Sequence, residues 1–289
     1  MKKILLLLFA ISSAFLFSCH KNDFPDPKKV CQIKIIDREP GPTVGSVFEY
    51  QYNDKRLLTK LDPGFGHWFL TFEYNDQGRL LVVKYSNTDG SYSYYNLFYQ
   101  NGLVTQIDFH YPEFNILEHG FFVYDNKGRL IEKRGLIISP VFPIIAMARY
   151  EYVGHSRNPS RQLFFRPTGE SGQEVEVDPV IIREYKYDNK VNPQTTLINQ
   201  PLSPFIHGDD FVVGPQYFEA IPDNNVVYTK VIRNIEGVYY NWVDNFITYE
   251  YNGHYPTFQT MRVVQHNPDG GPDLVRVAHT KMSYDCVNR

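Results

Sequence analysis

Three stretches of this sequence carry residue types that could do chemistry. Gly154-His155-Ser156-Arg157-Asn158 opens like the elbow of a serine hydrolase, where a sharp turn lifts a serine hydroxyl toward a base. Asn158 stands where the second glycine belongs and Pro159 blocks the helix that should follow, so the stretch reads as a turn. His207-Gly208-Asp209-Asp210 offers one imidazole and two carboxylates, but no second histidine motif accompanies it, and a polar loop is the expectation. Asn267 to Asp273, NPDGGPD, lacks the acidic spacing of a calcium loop and reads as a hairpin turn. Glycine-rich phosphate loops and Cys-x-x-Cys pairs are absent from the sequence. The expectation is no catalytic residue, no metal and no cofactor, with a hydrolase the least favoured class.

Binding is the stronger chemical reading. Trp68 and Trp242, with Tyr94, Tyr95, Tyr239 and Tyr240, could build an aromatic platform for sugar rings. The plainer alternative is that these rings pair across strands, at roughly 0.2 to 1 kcal/mol per pair, and that alternative is favoured.

The three cysteines follow from the address of the chain. Lys2 and Lys3 precede an apolar run from Ile4 to Phe17, too short for a mature membrane span and laid out as a secretory signal. Its end, Leu16-Phe17-Ser18-Cys19, resembles the bacterial lipobox, so residues 1–18 are expected to be removed and Cys19 to carry lipid. The alternative is an ordinary signal peptide with an incidental cysteine. Residues 19–30, charged and with two prolines, read as an extended tether. Cys31 and Cys286 remain, one at each end of the mature fold in an oxidising compartment, and are expected to pair; the alternative is two buried thiols.

What must position these residues is sheet. The chain has 289 residues with Tyr 22 and Phe 21, and aromatic side chains suit a pleated surface. Gly 19 and Pro 19 supply turns. In LVTQIDFHY the set Leu103, Thr105, Ile107, Phe109 and Tyr111 opposes Val104, Gln106, Asp108 and His110, predicting one apolar and one polar face. A net charge of −3 with no long basic stripe argues against nucleic acid as a partner.

The sheet is repetitive. TFEYNDQGRLLVVKY from Thr71 matches FFVYDNKGRLIEKRG from Phe121, and Tyr52, Tyr74, Tyr99, Tyr124 and Tyr152 recur at 22, 25, 25 and 28 residues. Each unit ends an aromatic strand in Tyr, turns through Asn or Asp and Gly, and restarts at Arg-Leu, which predicts hairpins that stack into one continuous sheet. The tyrosine, Asn or Asp turn and Gly-Arg-Leu resemble the YD repeat, also called the RHS repeat. With the lipobox, the chain is similar to YD-repeat lipoproteins of Gram-negative gut anaerobes described as porin-like. The likeness runs from Phe48 to about Tyr152 and returns at Arg183–Pro193, Ile247–Thr257 and Lys281–Cys286. It implies an open or rolled antiparallel sheet and no particular activity.

The insertion from about 194 to 225 departs from the pattern. It reads as a long loop or a short helix around Gln216 to Ile221. Phe205, Ile206, Phe211, Val212, Tyr217 and Phe218 are apolar enough to cover a curled sheet. A membrane-spanning barrel is disfavoured, because Lys84, Glu132, Lys133, Arg134, Lys186 and Arg262 fall on both strand parities. The expectation is an all-β antiparallel meander, a single domain over 31–289, rolled into an open or barrel-like sheet. It would be held at the outer membrane by lipid as a non-enzymatic scaffold or binding module. Its partners would be the membrane through that anchor, and polysaccharide or another envelope protein.

Overall fold

The computed structural model describes residues 29–38, 46–64, 68–112, 116–138, 144–168, 174–175, 177–196, 202–203, 219–268 and 270–288. The signal and most of the tether, Cys19 included, lie outside these residues. So do His207–Asp210 and the six apolar residues expected to cover the sheet. Cys31–Asp285 form one compact unit.

Sixteen antiparallel strands close into a barrel, so the open alternative does not occur. In wall order they are β1 (Lys29–Arg38), β2 (Ser46–Tyr52), β3 (Leu58–Asp62), β4 (Trp68–Tyr74), β5 (Leu80–Asn87), β6 (Tyr92–Gln100), β7 (Leu103–Tyr111) and β8 (Ile116–Tyr124), followed by β9 (Leu130–Ile138), β10 (Ile144–Tyr152) and β11 (Pro159–Phe165). The wall continues with β14 (Ile181–Val191), β17 (Asn224–Ile235), β18 (Val238–Asn252), β19 (Tyr255–Gln265) and β20 (Leu274–Asn288). Two small ladders stand outside it: β12 (Pro167–Thr168) with β13 (Glu174–Val175), and β15 (Leu202–Ser203) with β16 (Glu219–Ala220). Glu219 and Ala220 are therefore strand, which is neither the loop nor the short helix that the sequence left open; the described start of the insertion is a single 3-10 turn, Pro193–Thr196. Asn224 and Asn225 already belong to β17.

The recurring tyrosines have one shared task. Each lies near the end of the second strand of a successive pair, and its hydroxyl donates to a carbonyl near the start of the first. Tyr52 reaches Ile33 at 2.6 Å, Tyr74 reaches Leu58 at 2.8 Å, Tyr99 reaches Leu80 at 2.5 Å and Tyr124 reaches Val104 at 2.8 Å. Tyr152 reaches Leu130 at 2.8 Å, Tyr187 reaches Pro159 at 2.8 Å, Tyr249 reaches Val226 at 3.0 Å and Tyr284 reaches Pro256 at 2.6 Å. Every strand pair of the barrel thus has a latch, all at one rim. Burial pushes all eight phenols up from the usual tyrosine range, so they remain protonated donors.

The turns at that rim follow from their side chains. Asn75 Oδ1 accepts from the amides of Gln77 and Arg79, and Asp125 Oδ1 accepts from those of Lys127 and Arg129. Gly78 and Gly128 then take φ of 76° and 73°, which only glycine adopts without strain. A β-bulge follows each turn: Tyr74 pairs with Leu80 while Glu73 pairs with Val82, leaving Leu81 unpaired. The same slip leaves Thr59, Thr105, Ile131, Ser160, Val227 and Thr257 unpaired.

The bulge corrects the expected faces of β7. Val104 is fully buried and Thr105 is the skipped residue, so alternation restarts beyond it with Ile107 and Phe109 inside. Among the described residues, the main buried apolar cluster runs from Ile33 to Tyr150, with Tyr152, Ile221 and Tyr284 packed against it. Later inner positions are more polar, such as Gln162, Tyr185, Thr229 and Asn245, which share register with the buried face.

Candidate functional site

The six aromatics singled out in the sequence do not form one surface. Trp68 packs against the core and stacks on Tyr85 with ring centres 5.2 Å apart. Tyr95 is wholly buried and stacks on Phe109 at 4.2 Å. Tyr94, the residue before it, faces the other side of β6 and stacks on His110 at 4.6 Å. Trp242, Tyr239 and Tyr240 all lie near the start of β18.

At the same rim, opposite the latches, is a cavity of about 480 Å³, partly lined by the strand that pairs with this segment. Arg166, Val180, Ile181, Arg233, Asn234 and Glu236 line it. Register explains the meeting: Ile181 pairs with Arg233, Arg233 pairs with Tyr240, and Asn234 pairs with Tyr239. A bulge between Val231 and Ile232 skips Trp242, whose ring lies 4.7 Å from the Arg233 guanidinium. The β17–β18 turn puts Glu236 at φ 53° and Gly237 at φ 84°, with Asn234 Oδ1 accepting from the Gly237 amide at 2.9 Å. The sequence reading missed Arg233. Its pairing with Trp242 depends on a bulge, and only the separation of nine residues across a short hairpin hinted at it.

The lumen wall is uneven in charge. Lys133 stands on the inner face between Phe122 and Ala148, and Arg183 pairs with inner Gln162. Gln162 donates to Tyr150 Oη at 3.1 Å and accepts from Tyr185 Oη at 2.7 Å. Against these cations stands Glu118, buried opposite Phe109, with Oε2 lacking a hydrogen-bond partner; burial raises its carboxyl above the ordinary glutamate range.

The outer wall is charged across its middle. Glu132 accepts from Arg134 at 2.7 Å and Arg149 at 3.0 Å; burial opposes its ionisation, but these bonds hold its carboxyl below the ordinary value. Arg161 pairs with Glu151 at 3.0 Å and Glu184 at 3.6 Å. Lys186 lies over Tyr228 and Arg262 over Phe246, at 5.1 and 5.7 Å. Further along, Asp244 accepts from Tyr228 Oη at 2.5 Å and Asn241 Nδ2 at 2.7 Å, and His266 bridges Asp244 and Asp273 at 2.7 and 2.9 Å. The hydrogen bond to Asp244 does most to raise the His266 imidazole above its usual range.

Gly154 to Asn158 is the hairpin turn between β10 and β11. Ser156 Oγ accepts from the Asn158 amide at 3.0 Å, and Arg129 holds the carbonyls of Gly154 and Ser156 at 3.1 and 2.9 Å. Asn267 accepts from the Gly270 amide within the β19–β20 turn. Cys31 and Cys286 are disulfide-bonded, as expected.

No family model and no curated protein matches this sequence. Solved structures do. A porin-like protein from Bacteroides uniformis superposes with a TM-score of 0.54 at 11% identity, covering 91% of this chain and 98% of that one. A porin-like protein from Bacteroides vulgatus covers 89% of this chain and 99% of its own at 11% identity, with a TM-score of 0.42. The first likeness carries the barrel fold.

Proposed function

We propose that the chain is a non-enzymatic barrel of the cell envelope, lipidated at Cys19, held at the outer membrane with its wall in water, and serving as a scaffold or binding module. The observation that carries this reading is the outward charge at mid-wall. Each lysine or arginine on a lipid-facing midplane costs about 2–4 kcal/mol, and Arg134, Arg149, Arg161, Lys186 and Arg262 all occupy outer positions of central strand segments. Their ion pairs and ring contacts suit a hydrated wall.

The signal and lipobox supply export and anchoring in this reading. The YD-repeat resemblance and the porin-like neighbour both favour an envelope setting. His155 and Ser156, the only stretch with an elbow-like beginning, sit in a hairpin turn without a following helix, which favours a non-catalytic role.

The test is the state of residues 20–289 without lipid. They should purify as a monodisperse species in buffer alone, while full-length chain moves to the membrane and loses its lipid label in a Cys19→Ala variant. A lipid-free chain that stays soluble only in detergent overturns the hydrated wall.

A further inference from the structure

We propose that the cavity between Arg233 and the β17–β18 turn binds a carboxylate-bearing sugar, with Arg233 pairing the carboxylate and the β18 aromatics flanking the ring. The inference deepens the binding-module reading and rests on it.

Four observations converge on this class of ligand. The first is size: about 480 Å³ falls within the range of small-ligand pockets and fits one or two pyranose rings. Charge is the second. Arg233 contacts a ring and lines the cavity, and among the described residues no carboxylate is ion-paired to it. Arg166 also lines the cavity, and among the described lining residues Glu236 carries the one carboxylate. A planar guanidinium matches a carboxylate through two parallel N–H donors, geometry that a lysine cannot reproduce.

The third is the aromatic neighbourhood. Tyr240 pairs with Arg233, Tyr239 pairs with Asn234 and is 44% exposed, and the Trp242 ring holds the Arg233 head group. Exposed rings beside hydrogen-bonding side chains suit the apolar faces and hydroxyl edges of a sugar, whereas a bare inorganic oxyanion would use neither. The fourth is access: Arg233, Glu236 and Gly237 are exposed at the rim opposite the latches.

The experiment is titration calorimetry on the full-length lipidated chain with three probes: a glucuronate-terminated disaccharide, its neutral glucose counterpart and inorganic phosphate. Saturable binding of the glucuronate probe is expected, weakening as salt rises. Arg233→Gln should lower its affinity about tenfold or more, Arg233→Lys should not restore it, and Glu236→Gln should tighten it by about two- to threefold. Equal binding of the neutral sugar overturns the ion pair, and binding of phosphate alone overturns the sugar. Should Arg233→Gln lower the melting temperature, Glu236→Gln, on an exposed turn, carries the test, and an unchanged affinity there overturns the proposal. A chain that is lipidated and outer-membrane-located yet binds none of the probes overturns this site and leaves the envelope reading standing. A chain that lacks lipid overturns the envelope reading whatever it binds.

Discussion

The phenol of Tyr152 donates to the carbonyl of Leu130 at 2.8 Å, and the guanidinium of Arg129, one residue earlier, lies 4.5 Å from the centre of the same Tyr152 ring. Arg79 and Leu80 hold Tyr99 in the same way, with the guanidinium at 4.9 Å and the carbonyl at 2.5 Å. The repeated Gly-Arg-Leu is therefore a receptor for the next tyrosine: leucine supplies the acceptor and arginine covers the ring. Removing the hydroxyl with Tyr152→Phe should cost about 0.5–1.5 kcal/mol. Tyr74→Phe, on a distant strand pair, should add to it independently. Urea unfolding of the single and double variants measures both, and a double variant no weaker than either single one would mean the latches contribute nothing individually.

The turns make a second prediction. A Cβ on Gly128 would meet nothing within 4 Å, so Gly128→Ala tests backbone conformation alone. It should destabilise by about 1–2 kcal/mol, the cost of a left-handed conformation for a residue with a side chain. Arg56 occupies the matching place in the first turn at φ 61° and already carries that strain. Its side chain gains a hydrogen bond to the Asp285 carbonyl at 3.2 Å, and its own carbonyl accepts from Gln32 at 2.6 Å. Arg56→Gly should thus be near neutral, relief of strain offsetting loss of the bond. Equal destabilisation by both variants would refute the assignment of strain.

Glu118 predicts a pH dependence. Burial raises its folded pKa above the unfolded value of about 4.3. Its favourable contribution is then complete below that value and disappears as pH rises through the folded pKa, leaving a buried carboxylate with an orphan oxygen. Glu118→Gln should stabilise the barrel by about 1–3 kcal/mol at pH 8 and by little at pH 4. Thermal melts at both values decide it; a gain of the same size at pH 4 would show that the carboxyl is not ionising in the fold.

Much of the wall was legible from the sequence. Tyrosine spacing, glycine turns and Arg-Leu restarts located the latched strand ends, because each is a local requirement of hydrogen bonding or of φ. The faces were less legible. Thr105 and its counterparts slip the register by one residue at the latched rim, and a slip of one exchanges inside for outside. Lys133 looks like a surface residue in sequence, yet it is 4% exposed on the inner face. Trp68 and Trp242 are the same residue type, but one packs in the core and the other sits on a bulge under Arg233. Nothing local distinguishes them. The Arg233 cavity joins the end of β11 and the start of β14 to the β17–β18 hairpin, so it exists only once these neighbouring strands have paired.

The latches join the two strands of a pair, whereas the turns on the same rim join one pair to the next. Wall and connections are consequently independent, as the staves of a cask are independent of whatever is hung between them. The chain leaves the wall at Val191 and rejoins it at Asn224, yet Tyr187 and Tyr249 on either side still close their own pairs. A barrel assembled this way can accept new sequence at a latched rim without reworking its masonry, and insertions there are free to diversify while the cylinder stays the same.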